Sequence, residues 1–199
     1  MLNFFVNFLQ SKGGWASYDP THEAEFSRVG CHGPVRCSRI RFRSFAADQR
    51  KGFETGARAF LTANDWLAKL PNGADGKTVA IHAHFTWAEN RQAIRVSNQF
   101  VIDGKAAPYI DGIYFWNPQT QTIEFVWSGA DGDLSRGSVT PADGKLVHDF
   151  QVTHANGKSD AYVARVTPQS DGSWTNEILV KKDGTLSPFI QVSYLPEKK

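Results

Sequence analysis

The residues whose types and spacing could do chemistry in this chain are chiefly among its six histidines, a few strand-borne arginines and two closely spaced cysteines. His82 and His84 form a His-X-His pair, the spacing by which a strand presents two imidazoles to one metal. A third ligand would have to come from Asp111, Glu124 or Asp149. The pair's companions on that face, Thr78 and Thr86, are small and polar, so the pair reads as two solvent-side histidines and no metal is expected. His148 is different, because it runs in phase with Leu146, Phe150 and Val152. It is expected inside, where it could orient a ligand by hydrogen bonding or act as general acid or base with Asp149 or Asp111 tuning it.

Arg95, Arg136 and Arg165 lie within strands. An inward arginine would offer a two-pronged fork to a carboxylate ligand. Arg95 shares its face with Ala93, Ser97 and Gln99, opposite Ile94, Val96 and Phe100, and so is expected outside; the faces of Arg136 and Arg165 are too mixed to decide. Cys31, His32 and Cys37 supply at most three zinc ligands with no second half, and the cysteines read as free thiols of a cytoplasmic protein. No Gly-X-Ser-X-Gly elbow, phosphate-binding glycine loop with lysine, or His-Glu-X-X-His is present.

The elements that must carry these residues are strands. Tyr109 to Trp116 and Thr122 to Trp127 are β-branched and aromatic runs joined by a polar turn at Asn117–Gln121, a hairpin pattern. From Asn72-Gly73 onward the pattern does not change. Strands are predicted at 77–87, 91–102, 109–116, 122–128, 133–140, 145–153, 159–167, 173–182 and 187–195. Asp103-Gly104, Asp143-Gly144 and Asp183-Gly184 are among the turns between them. Connections this short join only antiparallel neighbours. A meander of nine strands curls and closes to remove its edges, so the fold class is mainly β, an antiparallel up-and-down barrel.

Before residue 70 the character changes. Phe53, Ala57, Phe60 and Leu61, then Trp66, Leu67 and Leu70, recur at spacings of three and four, which predicts helix within Ala46–Leu70. Residues 1–60 are assigned to a partly helical or disordered N-terminal extension, and 61–199 to the barrel domain. The first 60 residues hold 9 Lys or Arg against 5 Asp or Glu, concentrated between Arg28 and Lys51. With no nucleic-acid motif or stacking sheet beside them, these arginines read as a solvated basic segment, and no nucleic-acid partner is expected. Met1–Leu9 lacks a charged leader and a small-residue cleavage site, and no apolar run approaches 20 residues, so neither a signal peptide nor a membrane span is expected.

The succession Phe85-Thr-Trp87, Ile113-Tyr-Phe-Trp-Asn-Pro118, Ile123-Glu-Phe-Val-Trp127, Gly129-Ala-Asp-Gly132 and Leu134-Ser-Arg-Gly137 resembles the uncharacterised bacterial lipocalin-like domains, which are calycin-type β-barrels. The likeness spans roughly residues 61–195. Thr62-Ala-Asn-Asp-Trp66 stands where that family has a Gly-Thr-Trp element. The resemblance implies a barrel with a ligand cavity and transfers no catalytic residue. Haem-binding relatives carry a late histidine as iron ligand; no histidine follows His154 here, and no cofactor is expected.

The expected function is binding of a small, largely apolar molecule in a cavity lined by Trp87, Tyr114, Trp116, Phe125, Trp127, His148 and Phe150, with Tyr114 and His148 orienting it. One alternative is a barrel enzyme of hydratase, isomerase or cyclase type using His148, helped by Asp149 or Asp111. Another is a structural or interaction domain whose interior is simply filled. Cavity volume, and the presence of a carboxylate beside His148, separate the three. Ile113 and Phe115 fall on the face opposite Tyr114 and Trp116, and either the helix of Ala46–Leu70 or the second copy in a homodimer is expected to cover them.

Overall fold

A computed structural model describes residues 58–72 and 76–197. Among these, a short helix α1 (Arg58–Thr62) leads into ten strands: β1 (Asp65–Leu70), β2 (Val79–Trp87), β3 (Ala93–Ile102), β4 (Lys105–Asn117), β5 (Thr122–Gly129), β6 (Leu134–Ala142), β7 (Lys145–Thr153), β8 (Ser159–Pro168), β9 (Trp174–Lys182) and β10 (Thr185–Glu197). Each strand pairs antiparallel with its sequence neighbours, and β10 returns to β1 to close the barrel.

The closing strand corrects one expectation. Asp65–Leu70 is a strand where helical spacing predicts helix; the helix among the described residues stops at Thr62. Six residues are too few to separate the two periods. Trp66 and Ala68 are buried and face inward at period two, while Leu67 and Leu70 happen to fall at helical spacing. Pairing decides the outcome, because β1 satisfies the otherwise open edges of both β2 and β10. Residues 46–57, the Arg28–Lys51 segment and both cysteines lie outside the described residues.

Local chemistry sets the turns. Asp103 and Gly104 both take positive φ (46° and 75°), the two-residue hairpin geometry whose twist matches the flanking strands; Asp143-Gly144 and Asp183-Gly184 repeat it. Alternation then sorts the faces. Trp66, Ile81, Phe85, Ile94, Val96, Tyr114, Ile123, Phe125, Val139, Phe150, Tyr162, Val166, Trp174 and Tyr194 belong to one buried core inside the barrel. Charged groups such as Arg95, Asp111, Arg136 and Asp149 are exposed on the outside, the reverse of a lipid-embedded barrel. No helix among the described residues is long and apolar enough to cross a membrane. Ile113 is 40% exposed and no described element covers it; Phe115 is half-buried.

The two ends differ. At the end where β1 begins and β10 finishes, Leu61 of α1 is buried against the barrel floor. The Trp66 indole N–H donates to the Leu61 carbonyl at 2.9 Å, satisfying one of the carbonyls a helix end leaves open. Phe60, Trp66, Trp174 and Tyr194 interlock there: Phe60–Trp66 centroids are 5.1 Å apart, Trp66–Trp174 5.9 Å, and Trp174 stacks on Tyr194 at 4.0 Å. At the opposite end the β3–β4 and β9–β10 hairpins project beyond the barrel, with Lys105–Pro108 and Thr185–Pro188 exposed on both faces. Each of these strand pairs carries a register shift, at Asn98/Gln99 and at Pro188/Ile190.

Candidate functional site

The registers place a row of interior positions side by side. Tyr114 on β4 opposes Phe125 on β5, Phe125 opposes Gly137 on β6, and Gly137 opposes Phe150 on β7. Gly137 has no side chain, so Phe125 and Phe150 meet across it with ring centroids 5.7 Å apart. The neighbouring row runs from Gly112 to Trp127, and a Cβ at Gly112 would come within 2.7 Å of the Trp127 Cα and 2.5 Å of its ring. Two glycines therefore make room for two large rings, small beside large. Tyr114, Phe125, Trp127, His148 and Phe150 form one aromatic cluster on this wall, with Phe125–Trp127 centroids 4.1 Å apart.

His148 sits at the centre of that cluster, 2% exposed. Its Nε2 lies 3.0 Å from the Tyr114 hydroxyl, a bond reaching from β7 to β4 over the two strands between. Burial pushes the imidazole down to about 4; the nearby backbone of Leu146 and Ala164 opposes this without reaching Nδ1 in hydrogen-bond geometry. Burial raises the Tyr114 phenol far above its ordinary value of 10. At neutral pH the pair is thus a neutral imidazole and a neutral phenol, able to give and accept hydrogen bonds.

The barrel interior is not filled. A cavity of about 120 Å³ runs along this wall. One water needs only ~10–15 Å³ by the same kind of measure, so the space is several waters large. Tyr114, Trp127, His148 and Phe150 line it, as do Asn98, Tyr109, Trp174, Asn176, Ile190 and Tyr194. Five buried polar atoms there have no hydrogen-bond partner within the protein: Asn98 Oδ1, Trp127 Nε1, His148 Nδ1, Trp174 Nε1 and Asn176 Oδ1. Each such group left unsatisfied costs about 1–3 kcal/mol. A second, shallower hollow of about 290 Å³ lies at the hairpin end, walled by Phe100, Ile102, Ala107, Pro108, Ala130 and Asp131; it shares Tyr109 with the inner cavity.

Of the residues singled out in the sequence, Tyr114, Trp127, His148 and Phe150 share the cavity wall. Phe125 is wholly buried behind them, while Trp87 and Trp116 pack against the core and are half-buried. Asp149 is turned away. It follows His148 in the strand, so alternation puts it on the outer face, where it pairs with Lys181 at 3.1 Å. Asp111 is exposed as well, and among the described residues no carboxylate lines the cavity. His82 and His84 lie on the outer face, half-buried, paired with Glu197 at 3.5 Å and Asp65 at 3.0 Å, and no group of three or more metal-ligating side chains occurs among the described residues. Arg95 and Arg136 are exposed, and Arg165 pairs on the outside with Glu177 at 3.0 Å.

Asn98, Asn176 and Trp174 escape the sequence reading. A signal for the two asparagines was present: Asn98 is in phase with Val96 and Phe100, and Asn176 with Trp174 and Ile178, so each is a polar residue on an apolar face. The fold and interior define the class, a closed ten-stranded up-and-down barrel with a partly empty aromatic interior. Compared with known proteins, the chain matches no family model and no curated protein.

Proposed function

We propose that this is a calycin-type, lipocalin-like barrel that binds a small, largely apolar molecule in its interior, with residues 61–199 forming the binding domain and residues 1–60 an extension to it. One observation carries the reading: the buried core leaves about 120 Å³ open beside Tyr114, Trp127, His148 and Phe150. Interiors pack to crystal density, and space kept open between aromatic walls is what a small-molecule site requires. Binding then gains from burial of apolar area against the rings, and the Tyr114–His148 pair orients the ligand.

The enzyme alternative finds less support. Among the described residues lining the cavity there is no carboxylate, so the neutral imidazole is a weak base without the partner that acid–base catalysis uses to tune it. Native mass spectrometry of protein purified from its own host tests the binding reading. A retained small molecule is expected, and Ala164→Phe, which fills the cavity from β8, is expected to abolish its retention while the barrel stays folded. Retention unchanged in the filled variant would show that the molecule sits elsewhere.

A further inference from the structure

Among the described residues, the cavity wall carries polar groups of both kinds and no charged side chain. We propose that the interior is shaped for an uncharged, ring-sized molecule with hydrogen-bonding groups on at least two of its edges, and not for a pure hydrocarbon or a carboxylate such as a fatty acid. This rests on the ligand-binding reading above and specifies it.

The unpartnered atoms arise on alternate strands: Asn98 Oδ1 on β3, Trp127 Nε1 on β5, His148 Nδ1 on β7, and Trp174 Nε1 with Asn176 Oδ1 on β9. All five residues line the cavity, and His148 and Trp174 are only 2% and 3% exposed. An indole N–H can only donate and an amide carbonyl can only accept, so a matching ligand must offer both an acceptor and a donor. Groups spread around a barrel cannot all be reached by one polar head. The ligand therefore needs polar atoms on more than one side of an apolar body, a body of the kind that the Trp127, Phe150 and Tyr114 rings would flank.

Charge points the same way. No Asp, Glu, Lys or Arg is among the described residues lining the cavity, and the strand arginines that could have gripped a carboxylate lie outside. An anion would be buried without a counter-charge, while a hydrocarbon would leave five polar atoms stripped of partners.

Three probes of one shape separate these chemistries: naphthalene, 2,6-dihydroxynaphthalene and 2-naphthoate, measured by equilibrium dialysis against the full chain at pH 7. Hydrophobicity alone ranks naphthalene first. The expected result is the reverse, with the diol bound at least about tenfold tighter than either, the equivalent of one good hydrogen bond. Absence of binding by all three overturns the ligand-binding reading together with this one. Naphthalene or 2-naphthoate binding as tightly as the diol overturns this one alone. In Trp174→Phe and Asn176→Leu, diol affinity is expected to fall about tenfold while naphthalene affinity holds; unchanged diol affinity in both shows that these groups do not meet the ligand. Near-UV circular dichroism checks the fold, and Asn98→Leu replaces either variant that fails to fold.

Discussion

Two histidines in this barrel respond to pH in opposite senses. His148 is buried and its folded value is pushed down to about 4, below its ordinary 6.5. The stability linked to it is complete above pH 6.5 and is lost as pH falls from 6.5 toward 4, a loss on the order of 3 kcal/mol. His154 sits between Asp160, 2.9 Å from its Nε2, and Asp133, 2.8 Å from its Nδ1; the Asp160 bond and then Asp133 raise it against the effect of burial. Its contribution is complete below 6.5 and fades as pH rises through its raised value. Urea midpoints measured from pH 4 to 8.5 are expected to fall at both ends. His148→Leu should flatten the fall between 6.5 and 4, and His154→Asn the fall above 6.5. The Tyr114–His148 bond has its own signature. Tyr114→Phe strands Nε2 in the core and should cost about 1–3 kcal/mol in urea unfolding, whereas Tyr114→Phe with His148→Leu removes both polar partners and should recover part of that loss. Period-two phase made His148 legible as an interior residue. It could not show that Asp149 pairs with Lys181, because a strand neighbour two positions away in space is invisible along the chain.

At the scale of elements, the wall depends on two glycines whose reason is steric. A Cβ at Gly137 would meet the Phe150 Cβ at 2.5 Å and the Asp149 carbonyl, and a Cβ at Gly112 would meet Trp127. Gly112→Ala and Gly137→Ala should each destabilise by about 1–3 kcal/mol and reduce the near-UV signal of the Trp127 cluster, although alanine alone adds only a methyl group. The floor depends on Trp66. Replacing it with phenylalanine deletes the bond to Leu61 and should loosen α1, read as faster proteolysis near Thr62 with a loss of about 1 kcal/mol in unfolding. Nine of the ten strands were legible because alternating apolar residues mark them and most of the turns between them carry Asp-Gly or Asn-Gly. The tenth, β1, was not: its six residues have no glycine turn before them, and only its pairing with both β2 and β10 makes it a strand. The same dependence on distant partners explains why the place of Trp174 in the cavity could not be read from its position at the start of β9.

The molecule as a whole is a ring of ladders closed by its shortest strand. Leu67 is paired in register with His82 on one side and Leu195 on the other. Leu67→Pro removes an N–H at this seam and should free the edges of β2 and β10, which then seek other chains. Light scattering after gel filtration is expected to show oligomers or aggregate where the parent elutes in smaller form. The long sequence separation between β1 and β10 also makes closure the entropically costly pairing, and folding is expected on a millisecond-to-second scale.

Among the described residues, β1 and β10 close the wall and α1 covers the aromatic floor. On the proposed reading, a guest would enter at the hairpin end, beside Phe100 and Tyr109, whose tilted rings have centroids 4.0 Å apart. For the proposed ligand, residence time would depend on how often those hairpins part as well as on how well the walls hold it. Two variants with equal affinity can differ widely in residence time if one of them stiffens the turn at Asp103-Gly104.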